Sequence, residues 1–203
     1  MRPNGAVENG MRIYICKVMK KNIWNIFAPI YELTMRSQKS IYDYLYKRIG
    51  EVAKDKDVLE LATGPGMIAR HIASRAKSVI ATDFAPKMIE TARKAKNPEN
   101  VSFEVADATS LRFEDNSFDV VVIANALHII PNPEKALAEI DRVLKKDGIL
   151  IAPNFIFQAG GKKKFMAKIL ESCRSPFCAW MDGRWIQVFF EIERLDDWNE
   201  LRS

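Results

Sequence analysis

Three acidic residues, each closing or following a short apolar run, are the groups in this chain whose spacing could make a binding site. Val58-Leu59-Glu60-Leu61 leads straight into Ala62-Thr63-Gly64-Pro65-Gly66. Val79-Ile80-Ala81-Thr82 closes on Asp83, and Val101–Val105 runs into Ala106-Asp107-Ala108. A glycine-rich turn between a strand and a helix aims backbone N–H groups and a helix N-terminus at an anionic group. Gly64-Pro65-Gly66-Met67-Ile68-Ala69 even fits G-x-G-x-x-A, a form that serves dinucleotides. Glu60 points elsewhere: a carboxylate ahead of the loop repels a diphosphate and welcomes an ammonium group. Asp83 can accept from both hydroxyls of a ribose, which suits either kind of ligand. Asp107 can accept from the amino group of a base. Taken singly, each acid is as well explained by a helix cap or a solvated turn. An NAD-dependent dehydrogenase therefore stays open beside a ligand that is a nucleoside at one end and a cation at the other.

These residues need elements to hold them in register. The apolar runs near residues 58, 79, 101, 120 and 149 read as five strands. Between them lie helical stretches over residues 67–76, 86–95 and 133–145, the last with Ala136, Leu137, Ile140, Val143 and Leu144 on one face. Asp147-Gly148 reads as a turn before the fifth strand, Ile149–Phe155. Strands alternating with helices of this length mean βαβ units and a parallel sheet, which places all three acids on one edge. Ahead of the sheet, Trp24, Phe27, Ile30, Tyr31, Ile41, Tyr44 and Leu45 recur at helical spacing, with Pro29 separating two segments. The expected organisation is a partly disordered leader over 1–21, then a single domain over 22–203. Within it lie a helical cap over 22–50, a core over 51–157 and an atypical C-terminal segment over 158–203. In that last segment 161–173 reads as a helix. Residues 185–193 fit either a strand that covers the fifth strand's edge or a helix.

The bulk properties narrow the classes. The 203 residues carry a formal net charge of +5, mild for a nucleic-acid binder, and Lys162-Lys163-Lys164 is the dense basic run. No run approaches the roughly 20 apolar residues of a membrane span. Three cysteines (Cys16, Cys173, Cys178) and two histidines (His71, His128) make neither a disulfide framework nor a metal site. The expectation is a soluble, cytoplasmic protein without nucleic-acid partners or a metal.

Asp57–Gly66, Val79–Met88, Asp107–Asp119 and Leu144–Ile151 resemble the successive motifs of the class I methyltransferases. The stretch Asp107–Asp119, and His128-Ile129-Ile130-Pro131 leading into Pro133–Leu137, are similar to the branch with ubiquinone and menaquinone C-methyltransferases and phospholipid N-methyltransferases. The likeness covers roughly residues 22–157. It implies an α/β fold with a Rossmann-like parallel sheet, helices on both faces, and a C-terminal end shortened relative to the family. It implies S-adenosylmethionine as cofactor and a small molecule or lipid as acceptor. By the same resemblance Glu60, Gly64 and Gly66 hold the methionine part. Asp83, Phe84 and Met88 hold the ribose and adenine edge, Asp107 and Ala108 read the adenine, and Asn125 lies near the sulfonium. Ala62 stands where the family usually has glycine, a departure that is acceptable if φ is negative there but narrows the room for methionine. His128 is the candidate general base, with a packed histidine at a helix start as the plainer reading. Trp24 and Tyr31 are expected either to close over the site or to pack in the core. A cofactor-binding module without turnover, peripheral membrane contact and a homodimer stay open.

Overall fold

The structure, a computed structural model, describes residues 23–35, 39–155, 187–188 and 191–192. The expected leader, the 161–173 helix, Lys162–Lys164 and all three cysteines lie outside the described residues.

Near-continuous apolar runs make strands that are buried on both faces. β1 (Asp57–Leu61), β2 (Ser78–Asp83), β3 (Val101–Val105), β4 (Phe118–Ile123) and β5 (Leu144–Ile151) form a parallel sheet in the order β3-β2-β1-β4-β5. Side-chain alternation divides the core. Val58, Val79, Ala81, Val120 and Val122 pack against one set of helices: α2 (Lys39–Val52), α3 (Met67–Ile72) and α4 (Pro86–Lys94). Leu59, Leu61, Val121 and Ile123 pack on the other side against α5 (Pro133–Val143) through Ala136, Ile140 and Val143. The same period of two puts Glu60 on the face of Val58, under the helices rather than in solvent.

The chain winds outward from β1 to β3 and then returns to β4 on β1's other side. The carboxyl ends of β1 and β4 therefore border the crevice where such sheets take ligands. Among the described residues glycine closes no helix, so other groups satisfy the ends. Asn100 donates to Ala73 O at 2.8 Å and Ala76 O at 3.1 Å after α3. The Arg142 guanidinium donates to Leu111 O, Phe113 O and Asp115, while Glu139 accepts from Leu111 N. These bonds lock the 107–117 loop onto α5.

Two local expectations differ. α5 ends at Val143, and Asp147-Gly148 falls inside β5 rather than in a turn. The register of β4 against β5 shifts between Phe118 and Val120, and a Cβ on Gly148 would lie 2.6 Å from Leu144 Cγ, 2.9 Å from Lys145 O and 3.2 Å from Asp119 O, so glycine permits a close, irregular approach within a strand. Pro29 does fall between two α-helical segments. The helix over 23–27 tightens to a 3-10 turn at Ala28–Ile30 and resumes as α1 (Tyr31–Met35). At the far edge β8 (Glu191–Ile192) pairs antiparallel with β5, Leu150 opposite Ile192. β6 (Asn154–Phe155) pairs with β7 (Gln187–Val188). Residues 189–190 lie outside the described residues, and with them the choice between one continuous strand and a helix over 185–193.

Candidate functional site

A cleft opens over the carboxyl ends of β1, β2, β3 and β4. Ala62 and Gly64, Asp83, Phe84 and Met88, Ala106 to Ala108 and Ala124 to Ala126 line it, and Trp24 and Tyr31 contribute from the cap. Of the residues expected at the site, Ala62, Gly64, Asp83, Phe84, Met88, Asp107, Ala108 and Asn125 share this one lining. Glu60, Gly66 and His128 are not part of it. Glu60 lies behind the loop. Gly66 opens α3 at φ +82°. His128 sits half-buried in the 3-10 turn Leu127–Ile129, while its neighbours Ile129, Ile130 and Pro131 face the cleft.

The loop's geometry follows from a run of left-handed residues. Gly64 has φ +58° and Gly66 +82°, which glycine adopts without strain. Ala62 has φ +54°. That corrects the condition under which alanine was acceptable: its Cβ is held against the following carbonyl, a strain of about 1–2 kcal/mol. Ala62→Gly is therefore expected to stabilise the protein by about 0.5–1 kcal/mol after glycine's larger unfolded-state entropy is subtracted, and to widen the cleft. A denaturant midpoint that falls would contradict this. Asn125 also has a positive φ, +51°, a conformation asparagine tolerates, and its N–H donates to Pro153 O at 2.7 Å, joining the ends of β4 and β5.

Asp83 is the junction between two loops. Gly64 N donates to its Oδ2 and Ala85 N to its Oδ1, both at 2.8 Å. Each oxygen keeps a further lone pair, enough to accept from a hydroxyl as well. Burial pushes its pKa up to about 6, against the pull of the Ala85 and Gly64 N–H groups. Asp107 Oδ1 accepts from Thr109 N at 3.0 Å and Thr109 Oγ1 at 2.8 Å, a turn that fixes the carboxylate beside Ala106 and Ala108.

Glu60 is the most unusual group. It is 2% exposed and its Oε2 has no hydrogen-bond partner; the buried Thr63 hydroxyl is likewise unpartnered. Burial pushes its pKa up to about 8. Thr63 and the Ala69 N–H lie close enough to oppose this, without closing a bond to Oε2, and the Asp83 charge adds to the rise. The Arg70 charge opposes the rise least of these, and among the described residues no cation forms an ion pair with Glu60, so the buried carboxyl has room for a cationic partner. Thr63 had no signal in the spacing of acids; its place between Ala62 and Gly64 was the only hint.

Residues 59–152 match the methyltransferase domain family. The chain carries a class I S-adenosylmethionine-dependent methyltransferase domain. It is 34% identical over 160 residues to the ubiquinone/menaquinone biosynthesis C-methyltransferase UbiE of Citrifermentans bemidjiense, a match over 73% of this chain and 65% of that protein. It is 36% identical over 136 residues to the demethylmenaquinone methyltransferase of Thermus thermophilus, over 63% of this chain and 62% of that protein. The chain thus spans less than two thirds of these curated relatives. The crystal structure of a methyltransferase from Thermotoga maritima superposes with a TM-score of 0.58 at 24% identity, over 87% of this chain and 77% of that one, a likeness of fold. The dinucleotide reading of Gly64–Ala69 is thereby set aside. S-adenosylmethionine is the cofactor of such domains, and the residues of this methyltransferase domain fit it: an unpartnered buried carboxylate oxygen suits the ammonium group, and side-chain-free backbone at Gly64 leaves room beside it.

Proposed function

We propose that the methyltransferase domain transfers a methyl group to a small-molecule or lipid acceptor, with reduced quinones the first class to test. The observation that supports this is the placing of three acids at the ends of three adjacent strands: Asp83 and Asp107 line one cleft, and the buried Glu60 lies behind its glycine loop. In this reading Glu60 takes the ammonium group, and Gly64 and Gly66 let the methionine chain lie against backbone. Asp83, with Phe84 and Met88, takes the ribose and the adenine edge. Asp107 and Ala108 meet the adenine, and Asn125 lies near the sulfonium.

When bound, S-adenosylmethionine supplies a methyl group already activated as a sulfonium, ready for in-line displacement. What remains for the chain is alignment and exclusion of water. Trp24 and Tyr31 serve both. Their rings meet edge to face at 6.3 Å between centroids, and the buried Tyr31 hydroxyl bonds to that of Tyr42. Burial raises the Tyr31 pKa, so this phenol stays neutral at pH 7 and acts as wall rather than base. A proton acceptor is needed only where the acceptor nucleophile must lose a proton, and His128 is the side chain to test for that role. Ile26, Ile30 and Leu33 stand 74%, 47% and 62% exposed on the cap, which favours an apolar acceptor and contact with an apolar surface such as a membrane. Among the described residues no helix is long and apolar enough to cross one.

The test uses methyl-labelled cofactor with a panel of acceptors: a reduced short-chain demethylated naphthoquinone, its benzoquinone counterpart, phosphatidylethanolamine vesicles and small amines. Label is expected in a quinol product with matching release of S-adenosylhomocysteine. Tight binding of S-adenosylhomocysteine without transfer to any acceptor would favour a module without turnover.

A further inference from the structure

The cap is fastened to the cofactor loops at two points. Asn25 Oδ1 accepts from Lys87 N at 3.0 Å, capping the start of α4 just beyond Asp83 and Phe84. On the opposite wall the Arg70 guanidinium forks. Its Nη1 donates to Pro65 O at 2.5 Å, inside the glycine loop, and its Nη2 donates to Glu32 of α1. Trp24 and Tyr31 lie next to these anchors in the chain, and both line the cleft. The Tyr31 ring also reaches to 3.8 Å from where a Cβ on Gly64 would stand. Arg70 is 17% exposed at its side chain and Glu32 49%. As an ion pair so placed it adds little to stability. Its geometry does something else: one rigid fork spans the loop that meets the methionine end and the helix that carries the acceptor wall.

We infer that Arg70 and Glu32 are positioning residues that couple occupancy of the cofactor loop to closure of the 23–35 cap. The inference rests on the cofactor reading above and adds an order to it. The guanidinium grips the glycine loop at Pro65 O with one nitrogen and α1 at Glu32 with another, so a change in one is passed to the other. Ordering the loop orders Arg70, and Arg70 orders α1. The acceptor pocket is thus completed after the cofactor is in place. Lysine cannot replace arginine here, because a compact ammonium lacks the planar fork that meets two acceptors at fixed spacing.

Hydrogen exchange read by mass spectrometry on the full chain, with and without saturating S-adenosylhomocysteine, tests this without any acceptor. In the native protein the ligand is expected to slow exchange in residues 64–72 and also in residues 23–35, the latter by about tenfold, within the usual range of coupling between sites. Arg70→Ala, Arg70→Lys and Glu32→Ala should keep the slowing in 64–72 and lose it in 23–35. The Glu32→Ala, Arg70→Ala double variant should behave like either single one, the mark of two residues acting as a pair. Arg70→Lys keeps the charge, so retained folding with lost coupling separates positioning from general support. Slowing in 64–72 with none in 23–35 of the native protein, or unchanged slowing of the cap in the variants, overturns the coupling alone. No slowing in 64–72 of the native protein overturns the cofactor reading and the coupling with it.

Discussion

Glu60→Gln is expected to weaken S-adenosylhomocysteine binding by about a hundredfold, the scale of removing one partner of a buried charge pair. The pH dependence makes the prediction specific. In the unliganded protein Glu60 holds its proton up to about pH 8, because burial penalises the charged form. An ammonium group beside Oε2 reverses that penalty, so binding releases the proton. Affinity should therefore rise with pH and level off above about 8, losing up to about tenfold for each unit below it. Asp83, raised to about 6, steepens the fall at lower pH. Calorimetry at pH 7 in buffers of different ionisation heat should count about one proton released per ligand. In Glu60→Gln the count should drop to near zero and the profile should flatten between pH 6 and 8. Stability of the unliganded protein runs the other way. A carboxyl whose folded pKa exceeds its ordinary value of 4.5 contributes stability that is full below that value and lost as pH rises to about 8. The thermal midpoint should fall over that window in the native protein and much less in Glu60→Gln. A native affinity independent of pH between 6 and 8 would remove Glu60 from the site.

The placement of Glu60, Asp83 and Asp107 was legible in the sequence because each strand is a short apolar run and each acid sits at its end. A parallel sheet leaves no freedom about which edge those ends share. Glu60's burial follows from the same alternation, two residues on from Val58. What was not legible depends on contacts between residues distant in the chain or on single dihedral angles. Arg70 and Glu32 are 38 positions apart, and Asn25 and Lys87 are 62 apart, and no local pattern marks either pair. The carboxylate of Asp83 could be read as a ribose acceptor, but not as the tie between the Gly64 and Ala85 backbones. Ala62 is the sharpest case. Its residue type argues for negative φ, yet the loop that begins at Leu61 and must present Gly64 to Asp83 imposes +54°. The Asp147-Gly148 pair reads as a turn, and only the crowding of Gly148 by Leu144, Lys145 O and Asp119 O shows why it is a strand irregularity. His128 occupies a motif-like position, but the 3-10 turn directs the cleft wall to Ile129 and Ile130 instead.

Gly66→Ala should be strongly destabilising. The position lies at φ +82°, where a side chain costs about 1–2 kcal/mol. The new Cβ would stand 2.5 and 2.7 Å from two ring carbons of Phe103 and 3.1 Å from Arg70 Nη1. Phe103 is buried on β3, opposite Ala81 of β2 and packed in the α2–α4 side of the core, so its ring yields only by disturbing those neighbours. Overpacking of this kind adds about 1–3 kcal/mol. The sum, about 2–5 kcal/mol, is a large share of the 5–15 kcal/mol that usually separates folded from unfolded domains. Chemical denaturation should show the midpoint falling with little change in slope. The two contributions can be separated. Phe103→Leu removes ring atoms from the contact but leaves φ untouched. In the Phe103→Leu background Gly66→Ala should cost only the conformational part, about 1–2 kcal/mol. Because the same loop carries Pro65, Gly64 and the Asp83 contact, S-adenosylhomocysteine affinity should drop in Gly66→Ala and recover partly in the double variant. Equal costs in both backgrounds would mean that Phe103 does not set the height of the glycine loop.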